Sequence, residues 1–511
     1  MPVTAPEPGN IEHKSQEKEP GNRLILISLG IFLVCYLASI LRSAAHTPLW
    51  MDEILSVWAS RLPSAWAIYS ALAHGSEYAP PCFPLLLHYF AKVAGGGNLA
   101  MRLPSIAGAI IAASCTFVLL RRHLDLARAA FGLCMVLEGI HYFALQIRPY
   151  ALETACLALA FVFWDDLNRQ ASVWRAVAIG FLLAIATSLH FYAVLFAPTF
   201  GLIELLYALK IRKIRMPIWA AILLGGASIF LWLPLIHQMN RYVANDSGSP
   251  AYYAHPTVVK LMDVLCHLFL ENYLSILLLL GAMALIGLGA FLGYDSDCSE
   301  VQRKPEAGFW AFTLGMIVFP VMVFLFSVLV TKTFNERYAV ASVIGMSTLI
   351  CGCIRPSRFF SLAVPLLLVV AAPLTFSHRE NPPNYTNAIS ELIPPYPIVV
   401  ADGFQWFPLQ ESLPPEIRSR IFYVTLPDSI PIGDPTNEHQ IERWKTIDPS
   451  LQVEDVDQFV QRTPRFYVID FQTSDDTQAQ YLLKRHLIQW ASQTDGMVVY
   501  KSSTPGDSRN W

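Results

Sequence analysis

Eleven apolar runs, at 24–42, 102–120, 126–144, 149–166, 174–190, 191–209, 217–236, 273–293, 308–330, 338–354 and 359–376, set the strongest limit on what this chain can become. A helix crosses the hydrocarbon core of a bilayer with about 20 apolar residues, so each run has the length of one crossing or nearly so. Composition agrees: 54% of the 511 residues are apolar and 15% charged, and the mean hydropathy is +0.42. An ordinary soluble enzyme carries more charge than this, and the chain reads as a polytopic α-helical membrane protein with about 11 transmembrane helices. Ser43-Ala44-Ala45 after the first run imitates a signal-peptidase site, but the run is longer than a signal-peptide core, and it is read as a membrane helix.

Orientation follows from the placement of Lys and Arg in the short loops. With the N-terminus in the cytoplasm and one crossing per run, the cytoplasmic segments hold sixteen Lys and Arg and the opposite side nine. This requires that CFPLLLHYFAKVA, 82–94, does not cross. Its 13 residues, with His88 and Lys92 inside, suit a helix lying in the interface. SAWAIYSALA before it has the same character, so 43–101 is expected to be a long external loop with interfacial helices.

After residue 376 the pattern changes. Prolines at 382, 383, 394, 395 and 397 form a linker, followed by short β-branched runs at 398–402, 421–425, 465–470 and 497–500 and a helical spacing across 478–492. Strands mixed with a helix predict a small α/β soluble domain over 377–511, outside the cytoplasm if the crossings number eleven, with 1–376 as the membrane domain.

The nine cysteines lie mostly inside apolar runs without zinc-type spacing, and no stripe of basic and aromatic residues points to nucleic acid. The unusual polar residues instead collect at one face: Asp52 and Glu53 in WMDE, His74 and Glu77 before Pro80-Pro81, Gln146 to Tyr150 with Glu153, His190 and Tyr192, Lys260, and Glu336 to Tyr338. Charged groups within or beside membrane helices are costly, and their usual explanation is a partner or a task.

Read in order, WMDE, APPCFPLLL, RLPS at 102–105, IRPYALE at 147–153, LHFYA at 189–193 and ERYA at 336–339 resemble the integral-membrane GT-C glycosyltransferases. The likeness is to the branch of protein O-mannosyltransferases and lipid A aminoarabinose transferases, and it covers about residues 46–340. The resemblance implies a membrane glycosyltransferase, hexosyl or pentosyl, in the bacterial inner membrane. It would take a sugar from a polyprenyl-phosphate donor to a hydroxyl of a lipid, glycan or protein acceptor at the external, periplasmic face, by inverting displacement.

That chemistry needs a base for the acceptor hydroxyl, and a carboxylate at an apolar cavity mouth can have its pKa raised to suit. By position in WMDE, Asp52 is the candidate, with Glu53 orienting the acceptor or a cation. Guanidinium forks suit the departing phosphate, so Arg102, Arg148 and Arg337 are candidate donor-phosphate ligands, with His190 and Lys260 beside them. Tyr150, Tyr192, Tyr338 and Glu153 are candidate substrate contacts. A divalent cation is left open, and membrane lipids are expected partners. Plainer readings stand beside these. Asp52 would also serve as an N-cap of the helix starting EILSVWAS, the arginines would also snorkel to headgroups, His190 would also be a satisfied helix-end histidine, and the tyrosines fit an interfacial belt. The alternative function is a secondary transporter or lipid flippase. Against it, the charges sit at one face and the two halves show no likeness.

Overall fold

The computed structural model describes residues 20–247, 252–269, most of 276–284, 305–354, 358–377, scattered positions up to 395, and 395–503 apart from 428–429, 431–435, 472–476 and 495. Helices α1 (Pro20–His46), α2 (Met51–Arg61), α3 (Ala65–Ala73), α4 (Cys82–Ala94), α5 (Asn98–His123), α6 (Leu126–Ala144), α7 (Tyr150–Arg169) and α8 (Val173–Leu189) open the chain. Further apolar helices at Phe196–Ile211, Met216–Ala227, Ala307–Phe326, Ser342–Cys353 and Arg358–Leu374 complete the bundle. Each of the eleven apolar runs outside 273–293 is helical; most of that run lies outside the described residues. Six of the described helical segments are long and apolar enough to cross a membrane, among them Gly21–His46, Asn98–His123 and Ala307–Thr331. The chain is a multi-pass, mostly helical membrane protein, while the count of eleven crossings rests on the sequence alone.

Small residues let the helices approach. A Cβ on Gly108 of α5 would come within 2.7 Å of the Ala151 carbonyl carbon on α7, so only glycine permits this contact. Phe161 stacks on Phe200 at 4.5 Å between ring centroids with Phe312 edge-on at 4.4 Å, filling the space between α7 and two later helices. At the bundle end holding the 124/126 turn, the charged groups are mutually locked. Arg122 pairs with Asp165 and Asp166, His123 lies 2.9 Å from Asp165, and Arg215 grips the buried Glu204.

The opposite end carries α2, α3 and α4. With 13 residues α4 is too short to span the core, as its length predicts. The C-terminal domain sits on these helices. Its sheet has the order β3-β2-β1-β4-β6-β5, from β1 (Ile398–Val400), β2 (Ile421–Thr425), β3 (Val453–Asp455), β4 (Tyr467–Asp470), β5 (Ile488–Thr494) and β6 (Met497–Ser502). The first four are parallel and linked through helices; β6 and β5 form an antiparallel hairpin edge.

One sequence expectation fails here. The helical spacing over 478–492 holds only for Thr477–Lys484, because His486 adopts a left-handed φ of 58° that ends the helix, and Ile488–Thr494 then pairs with β6. The backbone N–H of Leu487 bonds to the Leu482 carbonyl at 3.0 Å, a C-terminal cap that the apolar spacing does not announce.

The domain and the bundle share a core. Leu49, Met51, Ile54 and Val57 cluster with Ile398, Trp406, Phe407 and Trp444. Trp58 of α2 meets Trp406, Phe407 and Trp444 within 5.3–6.3 Å and donates its indole N–H to Glu411 at 2.9 Å. Glu411 also takes both terminal nitrogens of Arg61, at 2.8 and 2.7 Å, and Arg443 reaches Tyr78 in the segment between α3 and α4.

Candidate active site

Helix α2 begins where the chain leaves the bundle. Trp50 is its N-cap in extended conformation, and its N–H donates to the Glu53 carboxylate three residues on at 3.2 Å, half of a capping box. Asp52 is therefore the second helical residue and not the cap. Its side chain is free to turn toward other elements.

Glu53 turns inward instead. Its carboxylate receives Nε and Nη2 of Arg102 at 3.2 and 3.0 Å and the Ile147 N–H at 2.8 Å, and both side chains of the ion pair are at most 2% exposed. Burial pushes the Glu53 carboxyl up, Arg102 and these N–H groups pull it down, and burial prevails. The other Arg102 donors go to the carbonyls of Ala44, Thr47 and Pro48 at 2.6–3.1 Å. All five guanidinium N–H groups are thus committed, and none remains for a donor phosphate. The expectations for Arg102 as phosphate ligand and for Glu53 as acceptor or cation ligand meet a structural clamp that ties α1, α2, α5 and the 144/150 turn together.

Asp52 pairs with Arg337, 285 residues away in sequence. Arg337 also donates to the Tyr253 hydroxyl at 3.1 Å, and its Nε has no partner among the described residues. Arg148 stands behind them, donating to the Asp52 carbonyl and the Ser56 hydroxyl at 3.0 Å each and pairing with Glu77, while its Nε is also without a partner. Burial raises the Asp52 carboxyl, but Arg337 and Arg148 together outweigh it and hold it below the usual carboxylate range. The expected raised pKa is corrected: a carboxylate between two guanidiniums stays ionised. Burial does push Glu77 up, against the pull of Arg148 and Ser56.

The remaining candidates lie behind this layer. The His190 Nδ1 is 3.0 Å from a Glu153 oxygen, and its ring meets Tyr150 edge-on at 5.2 Å and lies along Tyr192 at 5.7 Å. Tyr192 stacks on Tyr338 at 4.2 Å and donates to the Thr333 carbonyl at 2.6 Å, and the Arg337 guanidinium lies 5.8 Å from the Tyr338 ring. Glu153, His190 and the three tyrosines back the arginines without lining the cavity in front of them. Lys260 bonds the Tyr253 carbonyl on the exposed side of that loop, also outside the cavity lining.

That cavity is about 400 Å³ and has walls from five parts of the chain. Trp50, Met51 and Asp52 come from the start of α2, Tyr142, Phe143 and Gln146 from the end of α6 and the turn after it, and Tyr253 from its loop. Asn335, Glu336 and Arg337 form another side, and Phe404, Thr436 and Asn437 descend from the C-terminal domain. Its size falls in the range of small-molecule sites, about 300–1,000 Å³. Among the described residues no three His, Cys, Asp or Glu side chains converge as a metal site. His46 and His74 each bond a carbonyl one helical turn back.

Sequence reading gave no role to Glu77, Ser56, Tyr253 or Gln146. Glu77 and Gln146 had a signal, since each adjoins a motif of the resemblance. Ser56 and Tyr253 had none, because their parts depend on contacts 92 and 84 residues away.

No family model matches the chain, and no curated protein matches it in sequence. Among solved structures it is similar to ArnT from Cupriavidus metallidurans in the apo state, at 13% identity over 93% of this chain and 97% of that one, with a TM-score of 0.46. ArnT from the same organism bound to undecaprenyl phosphate gives 14% identity, 94% and 98% coverage and 0.46. The Archaeoglobus fulgidus oligosaccharyltransferase in complex with Zn and sulfate gives 12% identity, 87% and 67% coverage and 0.45.

Proposed function

We propose that this protein is a membrane glycosyltransferase that moves a sugar from a polyprenyl-phosphate donor to an acceptor hydroxyl at the external membrane face. One observation carries the reading: Asp52 and Arg337 meet at the wall of a cavity at one end of an apolar bundle, with Arg148 directly behind. The ordered motifs from WMDE to ERYA, with their likeness to GT-C glycosyltransferases, supply the class of chemistry.

The geometry divides the work. A donor phosphate entering beside Arg337 competes with Asp52 for the guanidinium, and the unused Nε of Arg337 offers it a further donor. As Arg337 turns to the phosphate, Asp52 loses the partner that most lowers its basicity and becomes a better acceptor for the hydroxyl proton. The acceptor oxygen then attacks the anomeric carbon from the side opposite the phosphate, which inverts that carbon. The C–O bond to phosphate breaks, its electron pair stays on the phosphate, and the proton goes to Asp52. Arg337 and Arg148 stabilise the growing phosphate charge where water is scarce. The isoprenoid remains in the bilayer.

The test is transfer of radiolabelled sugar from polyprenyl-phosphate donors to membrane extract by the reconstituted protein. Turnover by wild type and a loss of about 10²-fold or more in Asp52→Asn is expected, the usual range for a general base. Turnover that is unchanged by the substitution removes Asp52 as base. An accompanying cysteine at position 52, labelled only by reagents confined to the cytoplasm, would refute the external face.

A further inference from the structure

Besides the charged pair, the cavity lining includes neutral amides and aromatic rings. Gln146 lines the cavity, is 4% exposed, and its Oε1 has no hydrogen-bond partner among the described residues. Folded proteins leave few buried amides in this state, and a ligand that completes the bond is a sufficient reason to keep one. Asn437, at the start of the Thr436–Ile447 helix, brings a second amide to the same cavity from the C-terminal domain. Trp50, Tyr142 and Phe404 add aromatic surface to the same lining.

A primary amide offers an acceptor and two donors, which matches a hydroxyl that both donates and accepts. A phosphate or carboxylate asks for cations, and here those are gathered on the Arg337 side. We infer that Gln146 and Asn437 form an amide pair that reads the ring hydroxyls of a sugar seated over Asp52, with the C-terminal domain supplying half of the recognition. The inference deepens the transferase reading of this cavity and rests on it. The sugar is either the one carried by the donor or one in the acceptor, and the same chemistry serves both.

The experiment uses the full-length protein in lipid nanodiscs with Gln146→Leu and Asn437→Ala. Saturation-transfer NMR with a panel of methyl glycosides reads binding without turnover. Radiolabelled polyprenyl-phosphate sugars read donor hydrolysis in the absence of acceptor and transfer to membrane glycolipid in its presence. Both variants are expected to lose glycoside saturation transfer and to raise a KM by about tenfold, as the loss of a neutral hydrogen bond implies. A KM change already present in hydrolysis assigns the amides to the donor sugar, and one confined to transfer assigns them to the acceptor. Folded variants that bind glycosides and turn over like wild type overturn the inference, as does a wild type that binds no glycoside. If Gln146→Leu does not fold, Asn437→Ala in the C-terminal domain decides. Glycoside binding that depends on the amides in a protein that transfers nothing upholds the inference and refutes the transferase.

Discussion

At the residue scale, Asp52 shows how position in a helix decides chemistry. One place earlier its neighbour Met51 begins the helix, and one place later Glu53 is drawn into the core by Arg102, so of the two adjacent carboxylates only Asp52 lines the cavity, with 20% of its side chain exposed. The sequence alone ranks the pair by resemblance, and the structure gives a physical ground: Trp50 caps α2, which spaces the two acids about 100° apart around the axis. Its lowered pKa carries a sign. The folded state binds the Asp52 proton more weakly than the unfolded chain, so the ion pair stabilises the protein above the ordinary carboxylate pKa and is lost as pH falls through the lower folded value. Arg337→Gln should therefore move the acid limb of the kcat/KM profile to higher pH, measured across the acidic range; an unmoved limb would detach Asp52 from catalysis. Arg337→Lys keeps the charge but loses the fork, and a 10- to 100-fold (~) drop in transfer is expected from the loss of bidentate phosphate contact.

At the scale of elements, the clamp between α2 and α5 is structural and should behave so. Breaking a buried ion pair from one side costs about 3–5 kcal/mol, whereas replacing both partners by apolar groups is often close to neutral. Arg102→Met and Glu53→Gln are each expected to lower the thermal midpoint sharply, and the double variant to recover part of the loss in a thermal-shift series. Additive losses would show that the two residues act separately. A second element-scale effect lies on the Thr436–Ile447 helix, where Glu438 is 4% exposed, accepts the Leu426 N–H at 3.2 Å with one oxygen, and has no partner for the other among the described residues. Burial pushes its carboxyl to about 7. Here the folded state holds the proton more tightly than the unfolded chain, so stability is present below the ordinary glutamate pKa and falls as pH rises toward 7, by on the order of 3 kcal/mol. Thermal melts from pH 5 to 8 should decline in wild type and flatten in Glu438→Gln; parallel curves would contradict this. The sequence displayed most elements because apolar runs and β-branched runs are local. It concealed β3, three residues long, and β5, whose Trp490 and neighbours follow a helix without a break in apolar spacing, because both strands are fixed by pairing with distant partners.

At the scale of the whole molecule, the two ends of the bundle differ in how their charges are used. At the 124/126 end Arg122, Asp165, Arg215 and Glu204 close on one another, while at the other end Arg337 and Gln146 in the cavity lining, with Arg148 and Glu77 behind, keep atoms without partners among the described residues. The C-terminal domain completes that cavity and is fastened to α2 through Trp58 and Glu411, so the helix that carries Asp52 also carries the domain. Its role was not legible in the sequence, since Phe404, Thr436 and Asn437 lie more than 350 residues from Asp52 and share no motif with it. Trp58→Ala removes a partly buried aromatic contact worth about 3 kcal/mol at most and should expose the C-terminal domain to proteolysis while the bundle stays intact; unchanged protection would mean that the domain is held elsewhere. The resemblance did bring Asp52, Arg148 and Arg337 onto one list, and the fold places them in contact around one helix start. That convergence is tested most directly by sugar transfer from polyprenyl-phosphate donors in nanodiscs, comparing wild type with Asp52→Asn and Arg337→Ala at matched thermal stability. The account predicts transfer by wild type and a loss of about 10²-fold or more in each variant. Transfer at the wild-type rate by either variant, or none by the wild type from any such donor, would contradict it.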